Sequence, residues 1–203
     1  MRRLVLACAL VAVIAAGTAR ADGDPASDYL LGTQVFIPFD LKLTPAQKTE
    51  LTSLVHAANT SGYTIRVALI GSAYDLGSVT SLWGRPKEYA RFLGAELQFV
   101  YKNRLLVVMP HGFGFNWPKH SPARGYAALA TIPIGPGAVG LQQAATKGVQ
   151  ALARSSGVKI VRPVAAASGG HSMAHDRIVI ILAAVAALAV AVLLRLALRR
   201  KDP

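Results

Sequence analysis

Apolar side chains divide this chain into a middle with alternating rhythms and two ends that are almost continuously apolar. Residues 44–47 read Thr-Pro-Ala-Gln, a capping box with proline at the first helical position, and Leu51, Leu54, Val55 and Ala58 follow at helical spacing before Gly62. A helix is expected there. Residues 64–70 are β-branched and apolar, which predicts a strand buried on at least one face and closed by Gly71 and Ser72. Pro86 opens a second helix whose inward face is Tyr89, Phe92, Leu93, Leu97 and Val100. Residues 105–109 are apolar without alternation, the mark of a central strand covered on both faces. A loop dense in glycine, proline, histidine and aromatic residues then runs from 110 to 122. Leu141, Ala145, Gly148, Val149 and Leu152 make the stripe of a third long helix, stopped by Gly157. Three weaker segments complete the middle. Residues 22–28 read as a polar lead-in, residues 33–39 as an extended segment or edge strand because Pro38 interrupts them, and residues 158–161 as a short last strand. Strands alternating with helices predict an α/β fold, a single layered domain with a small, mostly parallel central sheet flanked by helices.

The ends predict a compartment. Arg2 and Arg3 precede the apolar residues 4–16, and Ala19, Arg20 and Ala21 present small residues where a signal peptidase reads, so residues 1–21 are expected to be a secretory signal peptide. Residues 5–8 imitate a lipoprotein box, but too few apolar residues precede Cys8 for that cleavage. At the other end, residues 178–194 carry no charge and are followed by Arg195, Arg199, Arg200 and Lys201. At about 1.5 Å per residue this run falls a little short of the roughly 30 Å hydrocarbon core, and residues 196–198 complete it if Arg195 snorkels. The expected layout is a signal peptide (1–21), an extracytoplasmic α/β domain (22–166), a flexible tether (167–177), a transmembrane helix (178–198) and a cytoplasmic tail (199–203). By the positive-inside rule this is a single-pass plasma-membrane protein with its domain outside and its C-terminus cytoplasmic.

Composition changes that picture in two ways. The 22 Lys and Arg against 10 Asp and Glu would suggest nucleic acid in a cytosolic protein, but the expected compartment excludes nucleic acid as a partner. The lone cysteine, Cys8, lies in the signal peptide, so the mature domain is expected to have neither a disulfide nor a thiolate metal site. Charge is also uneven: residues 97–174 hold eight Lys or Arg and no acid, whereas residues 22–96 hold six against eight. A solvated basic surface and attraction to anionic lipid head groups both account for that asymmetry.

Residues 28–157 resemble the TPM-domain family of exported bacterial membrane proteins, which also includes a thylakoid-lumen protein of photosystem repair. The resemblance lies in Asp28 with Leu30 and Leu31 ahead of the helix at Leu43-Thr44-Pro45, and in Tyr63 to Ile70 as a first core strand. Glu88, Tyr89, Ala90 and Phe92 are similar to its second helix, Leu105 to Val108 to its second core strand, and Gly112-Phe113-Gly114-Phe115 to the turn that follows. The basic hairpin that the family places before this turn is reduced here to Pro110 and His111, and the Gly-rich tail is missing. The resemblance implies an acidic site near strand ends for phosphate chemistry or a divalent cation.

The candidate site residues follow from both readings. Asp28 and Asp75 are the cation or phosphate candidates, with Asp40 a further acid near a strand end; two carboxylates can share a hard cation through oxygen, but an Asp that caps a turn is the commoner case. His111, Gly112 and Gly114 are the turn candidates, in a loop that also holds His120, Phe113, Phe115 and Trp117. His56, His171 and His175 show no metal spacing with a carboxylate partner, and Ser72, Ser78 and Ser81 lack a nucleophile-elbow context. No resident cofactor is expected, a divalent cation being the one weighed. The expected function is binding or assembly and maintenance of membrane protein complexes, with another membrane protein as partner. The competing expectations are a membrane-anchored phosphatase acting on phosphomonoesters and a structural module without a small-molecule site.

Overall fold

The computed structural model describes residues 23–161. The expected signal peptide, tether, transmembrane helix and tail lie outside the described residues. Among the described residues no helix is long and apolar enough to cross a membrane.

Asp24 and Pro25 start the first helix, α1 (Pro25–Gly32): the Asp24 carboxylate accepts the Ala26 amide, and proline fills the first helical position. The polar lead-in expected here is therefore a helix, and its Ala26 and Leu30 are fully buried. A short edge strand follows, β1 (Val35–Phe36), then α2 (Pro45–Thr60), whose Thr44–Gln47 capping box forms as its sequence predicts. β2 (Ile65–Leu69) leads into a 3₁₀ segment (Ala73–Leu82) that Gly77 kinks at a φ of 53°, and then α3 (Pro86–Glu96). Along α3 and beyond it Tyr89, Leu93 and Leu97 are buried, but Val100, placed on the same face by periodicity, is exposed because a 3₁₀ turn (Leu97–Phe99) ends the helix first.

β3 (Arg104–Met109) is the central strand and β4 (Gly112–Asn116) returns antiparallel beside it, Met109 pairing with Gly112. Residues 112–115 are thus a strand rather than a turn, and Pro110 with His111 makes the two-residue hairpin loop. α4 (Ala123–Leu129) and α5 (Gly137–Ser155) complete the fold. Residues 158–161 pair with no strand; Val161 instead donates its amide to the Ser61 hydroxyl at 3.0 Å.

The sheet order is β1-β2-β3-β4, with the first three strands parallel. Side chains alternate between two cores. Ile65, Val67, Leu106, Val108 and Phe115 face α2, α4 and α5, while Ala68, Leu105, Val107 and Met109 face α1 and α3. The crossover through α2 and the crossover through α3 therefore pass over opposite faces. Both advance one strand in the same direction, so they have opposite hands, an uncommon arrangement.

Candidate functional site

Open α/β sheets bind ligands outside the carboxyl ends of their parallel strands. Here that edge is formed by the loop after β1 with Asp40, the turn after β2 with Asp75, and the hairpin loop after β3 with His111. Leu41 lies so close that a Cβ on Gly71 would stand 2.8 Å from its Cδ1, which fixes the first loop against the second.

Asp75 is buried, and its Oδ2 accepts the Gly71 amide at 2.7 Å and the Ser72 amide at 2.8 Å. Burial pushes its carboxyl above the usual range, the two amides oppose this, and the charge of Asp40 adds to it. One oxygen of Asp75 is thus committed to closing the turn after β2. The carboxylate that bears on it is the exposed Asp40 rather than Asp28. Asp28 is exposed on the first turn of α1, where a negative charge favours the helix dipole.

The buried acid of that segment is Asp24, which the sequence reading passed over. Its Oδ1 accepts the Tyr89 hydroxyl at 2.7 Å and the Ala26 amide at 3.2 Å, and its Oδ2 is buried without a partner. Burial pushes Asp24 up to about 6 against the lowering effect of these bonds. Tyr89 is fully buried, and its hydroxyl is pushed well above the usual phenol range by burial and by the neighbouring Asp24. The signal was legible: Asp24-Pro25 repeats the cap-then-proline order of Thr44-Pro45.

His111 is exposed and sets its ring edge-on to Trp83, the centroids 4.9 Å apart. With Lys87 and Tyr126 it supplies the ionisable groups of a cleft of about 510 Å³ whose walls include Phe113 and Leu129. The glycines beside it serve packing. A Cβ on Gly114 would fall 1.8 Å from the Pro86 carbonyl oxygen, so α3 lies directly on β4, and Gly112 adopts a φ of 144° next to Pro86. His120 stacks on Trp117 with centroids 3.7 Å apart, and His56 is exposed on α2; residues 171 and 175 lie outside the described residues. Among the described residues no three His, Cys, Asp or Glu side chains are grouped as metal ligands.

The opposite, amino-end edge of the sheet is basic. Lys102 and Arg104 lie at the start of β3, Lys119 follows β4, and Arg124 opens α4. Arg154 ends α5, and Lys159 follows it. The chain leaves the described domain at this same edge, where Val161 is held by Ser61 between α2 and β2. Phe39 and Tyr74, by contrast, are exposed in the loops of the carboxyl-end edge.

No family model matches this chain, and no curated protein matches it. Among solved structures it is similar to the solution NMR structure of the N-terminal domain of the cg2496 protein from Corynebacterium glutamicum. That pair shares 14% identity over 70% of this chain and 85% of the other, with a TM-score of 0.39, a likeness that carries no argument about chemistry.

Proposed function

We propose that this chain is a single-pass, signal-bearing plasma-membrane protein that presents a TPM-like α/β domain outside the cell. In this reading the domain binds or helps to assemble and maintain membrane protein complexes while its basic edge rests on anionic lipid head groups. The observation that supports it is the coincidence of two features at one edge, most of the described cations of the acid-free segment and the point where the chain leaves the described domain. In this reading the short tether expected over residues 167–177 would keep the basic edge in the head-group field, where each Lys or Arg contributes about 1 kcal/mol. The exposed acid Asp40 and the exposed aromatics Phe39 and Tyr74 then lie at the far edge, free to meet a partner protein. The phosphatase reading finds less support, because Asp75 is engaged by backbone amides and Asp28 is not the carboxylate that bears on it.

The test uses the full chain with Cys8→Ser, reconstituted into bilayers. A fluorophore at Lys119→Cys should be quenched by head-group quenchers when phosphatidylglycerol is present and recover as salt rises, while one at Asp40→Cys should not respond. Equal quenching at both positions would sink the orientation. Intact mass of the protein extracted from membranes should correspond to a start at Asp22; retention of Met1 in a soluble fraction would overturn the compartment.

A further inference from the structure

Arg104 is the one cation of the basic edge whose guanidinium is held between aromatic faces. Its Cζ lies 3.8 Å from the centroid of Trp117 and 4.4 Å from that of Tyr63. Stacking on two rings fixes the plane of the guanidinium and leaves its N–H edges as the groups free to donate. The Nε is buried and finds no partner in the protein, and the ion pair found among the described residues, Arg91 with Glu88, lies elsewhere. A buried charged donor without an acceptor is costly, and such groups are ordinarily satisfied.

Around this guanidinium the fold leaves a cleft of about 40 Å³ with Arg124, Ser121, Ser155 and Ser156 on its walls and no acidic residue among its lining. Arg124 reaches it because Gly125 lets α4 settle onto Phe115; a Cβ there would fall 2.5 Å from the Phe115 ring. The arginines are not spent on capping α5. Its last carbonyls are taken by its own end, Leu152 by the Ser155 hydroxyl and the Ser156 amide, Ala153 by the Ser156 and Val158 amides, Arg154 by the Gly157 amide. Two cations, hydroxyl donors and no carboxylate form a donor set for an anion. The volume exceeds the roughly 10–15 Å³ that one water needs and is too small for a nucleotide.

We propose that this cleft binds one small tetrahedral oxyanion, a phosphate group carried either by the free ion or by the head group of a lipid phosphomonoester. The Arg104 fork takes two of its oxygens side by side, the geometry in which guanidinium exceeds ammonium. Arg124 and the hydroxyls of Ser121 and Ser156 meet the remaining oxygens, the Ser155 hydroxyl being committed to the Leu152 carbonyl. The site goes beyond the membrane orientation proposed above, since it calls for a defined geometry rather than for summed charge.

The full chain in neutral maltoside micelles, free of anionic lipid, is the protein for the test, so its outcome is independent of how the domain sits on a bilayer. Inorganic phosphate should raise the unfolding temperature saturably where chloride at matched ionic strength does not, and in Trp83→Phe it should change the Trp117 emission over the same range. Arg124→Gln, an exposed position, should weaken binding at least about tenfold with an unaltered circular dichroism spectrum, close to the 1.4 kcal/mol step. Arg104→Lys keeps the charge and loses the fork, and should weaken it as much. Phosphatidic acid doped into the micelles identifies the source. If it gives the Trp117 response and phosphate competes with it, the head group is a ligand; if free phosphate alone responds, the ion is. Absence of a saturable response to both, or unchanged affinity in the two arginine variants, would overturn the proposal.

Discussion

The Tyr89 hydroxyl donates to Asp24 Oδ1 at 2.7 Å, and through this bond the cap of α1 is tied to the middle of the buried face of α3, 65 residues along the chain. The pair sits under the turn after β2: a Cβ on Gly77 would stand 2.2 Å from the Gly23 carbonyl oxygen. Removing the hydroxyl by Tyr89→Phe strips a buried carboxylate of one donor, so stability at pH 7 should fall by about 1–3 kcal/mol in chemical unfolding. A loss below about 0.5 kcal/mol would mean that the bond contributes nothing.

Asp24 also sets a pH dependence of definite sign. Its folded value of about 6 lies above the ordinary 3.8, so the folded state holds this proton more tightly than the unfolded chain does. The associated stability is present below about pH 4 and is lost as pH rises through 6, by about 2–3 kcal/mol. Asp75, also raised by burial, acts in the same direction. Unfolding midpoints should therefore be higher near pH 4.5 than at pH 7, and Asp24→Asn, which keeps an acceptor for Tyr89 and Ala26, should flatten the profile. A midpoint that rises from pH 4.5 to 7 would contradict this assignment.

Glycine positions offer a test of packing. Gly114→Ala must push α3 off β4, a displacement of overpacking type that should cost about 1–3 kcal/mol or more. Gly32, at the end of α1, has nothing within 4 Å of its Cβ direction, so Gly32→Ala should be neutral or slightly stabilising. Thermal unfolding of the two variants in parallel separates these outcomes.

For the acids, Asp75→Ala should cost about 1–2 kcal/mol by releasing the Gly71 and Ser72 amides. Asp28→Ala should stay within about 0.5 kcal/mol because the residue is exposed. A rise in unfolding temperature with millimolar calcium or magnesium, abolished in both variants, would instead revive a shared cation site.

The basic edge makes a positional claim within the acid-free segment. Lys119→Gln, Arg154→Gln and Lys159→Gln together should lower the quenching of a head-group probe on anionic bilayers, whereas Lys147→Gln, midway along α5, should leave it unaltered. Equal effects would reduce the interaction to net charge.

How far the sequence foretold this structure depends on which signal each element carries. α2 announces itself twice, by its capping box and by its apolar stripe, and β3 by an unbroken apolar run, so both were legible. β4 was not, because its period-two pattern is written in absence: Phe113 and Phe115 alternate with glycines, of which Gly114 faces α3 where a Cβ would strike the Pro86 carbonyl, and glycine-rich runs read as loops. α1 was missed although its cap matches that of α2, since five polar or small residues around Asp24 masked two buried apolar ones. For the site, charge asymmetry was visible in the sequence. The meeting of Arg104, Trp117 and Arg124 was not, because it depends on the β3–β4 register and on how closely Gly125 lets α4 approach.

The opposite placement of the two crossovers has a consequence in time. Every buried member of the core beneath α1 and α3 lies between Ala26 and Met109, whereas the other core needs α5 and extends to Ala153. A chain delivered from its N-terminus at a few residues per second can close the first layer while the second still lacks its largest helix. Until Leu141, Val149 and Leu152 arrive, α2 alone covers the apolar side of β2 and β3, so the nascent domain passes through a stage in which one side is finished and the other is still partly adhesive.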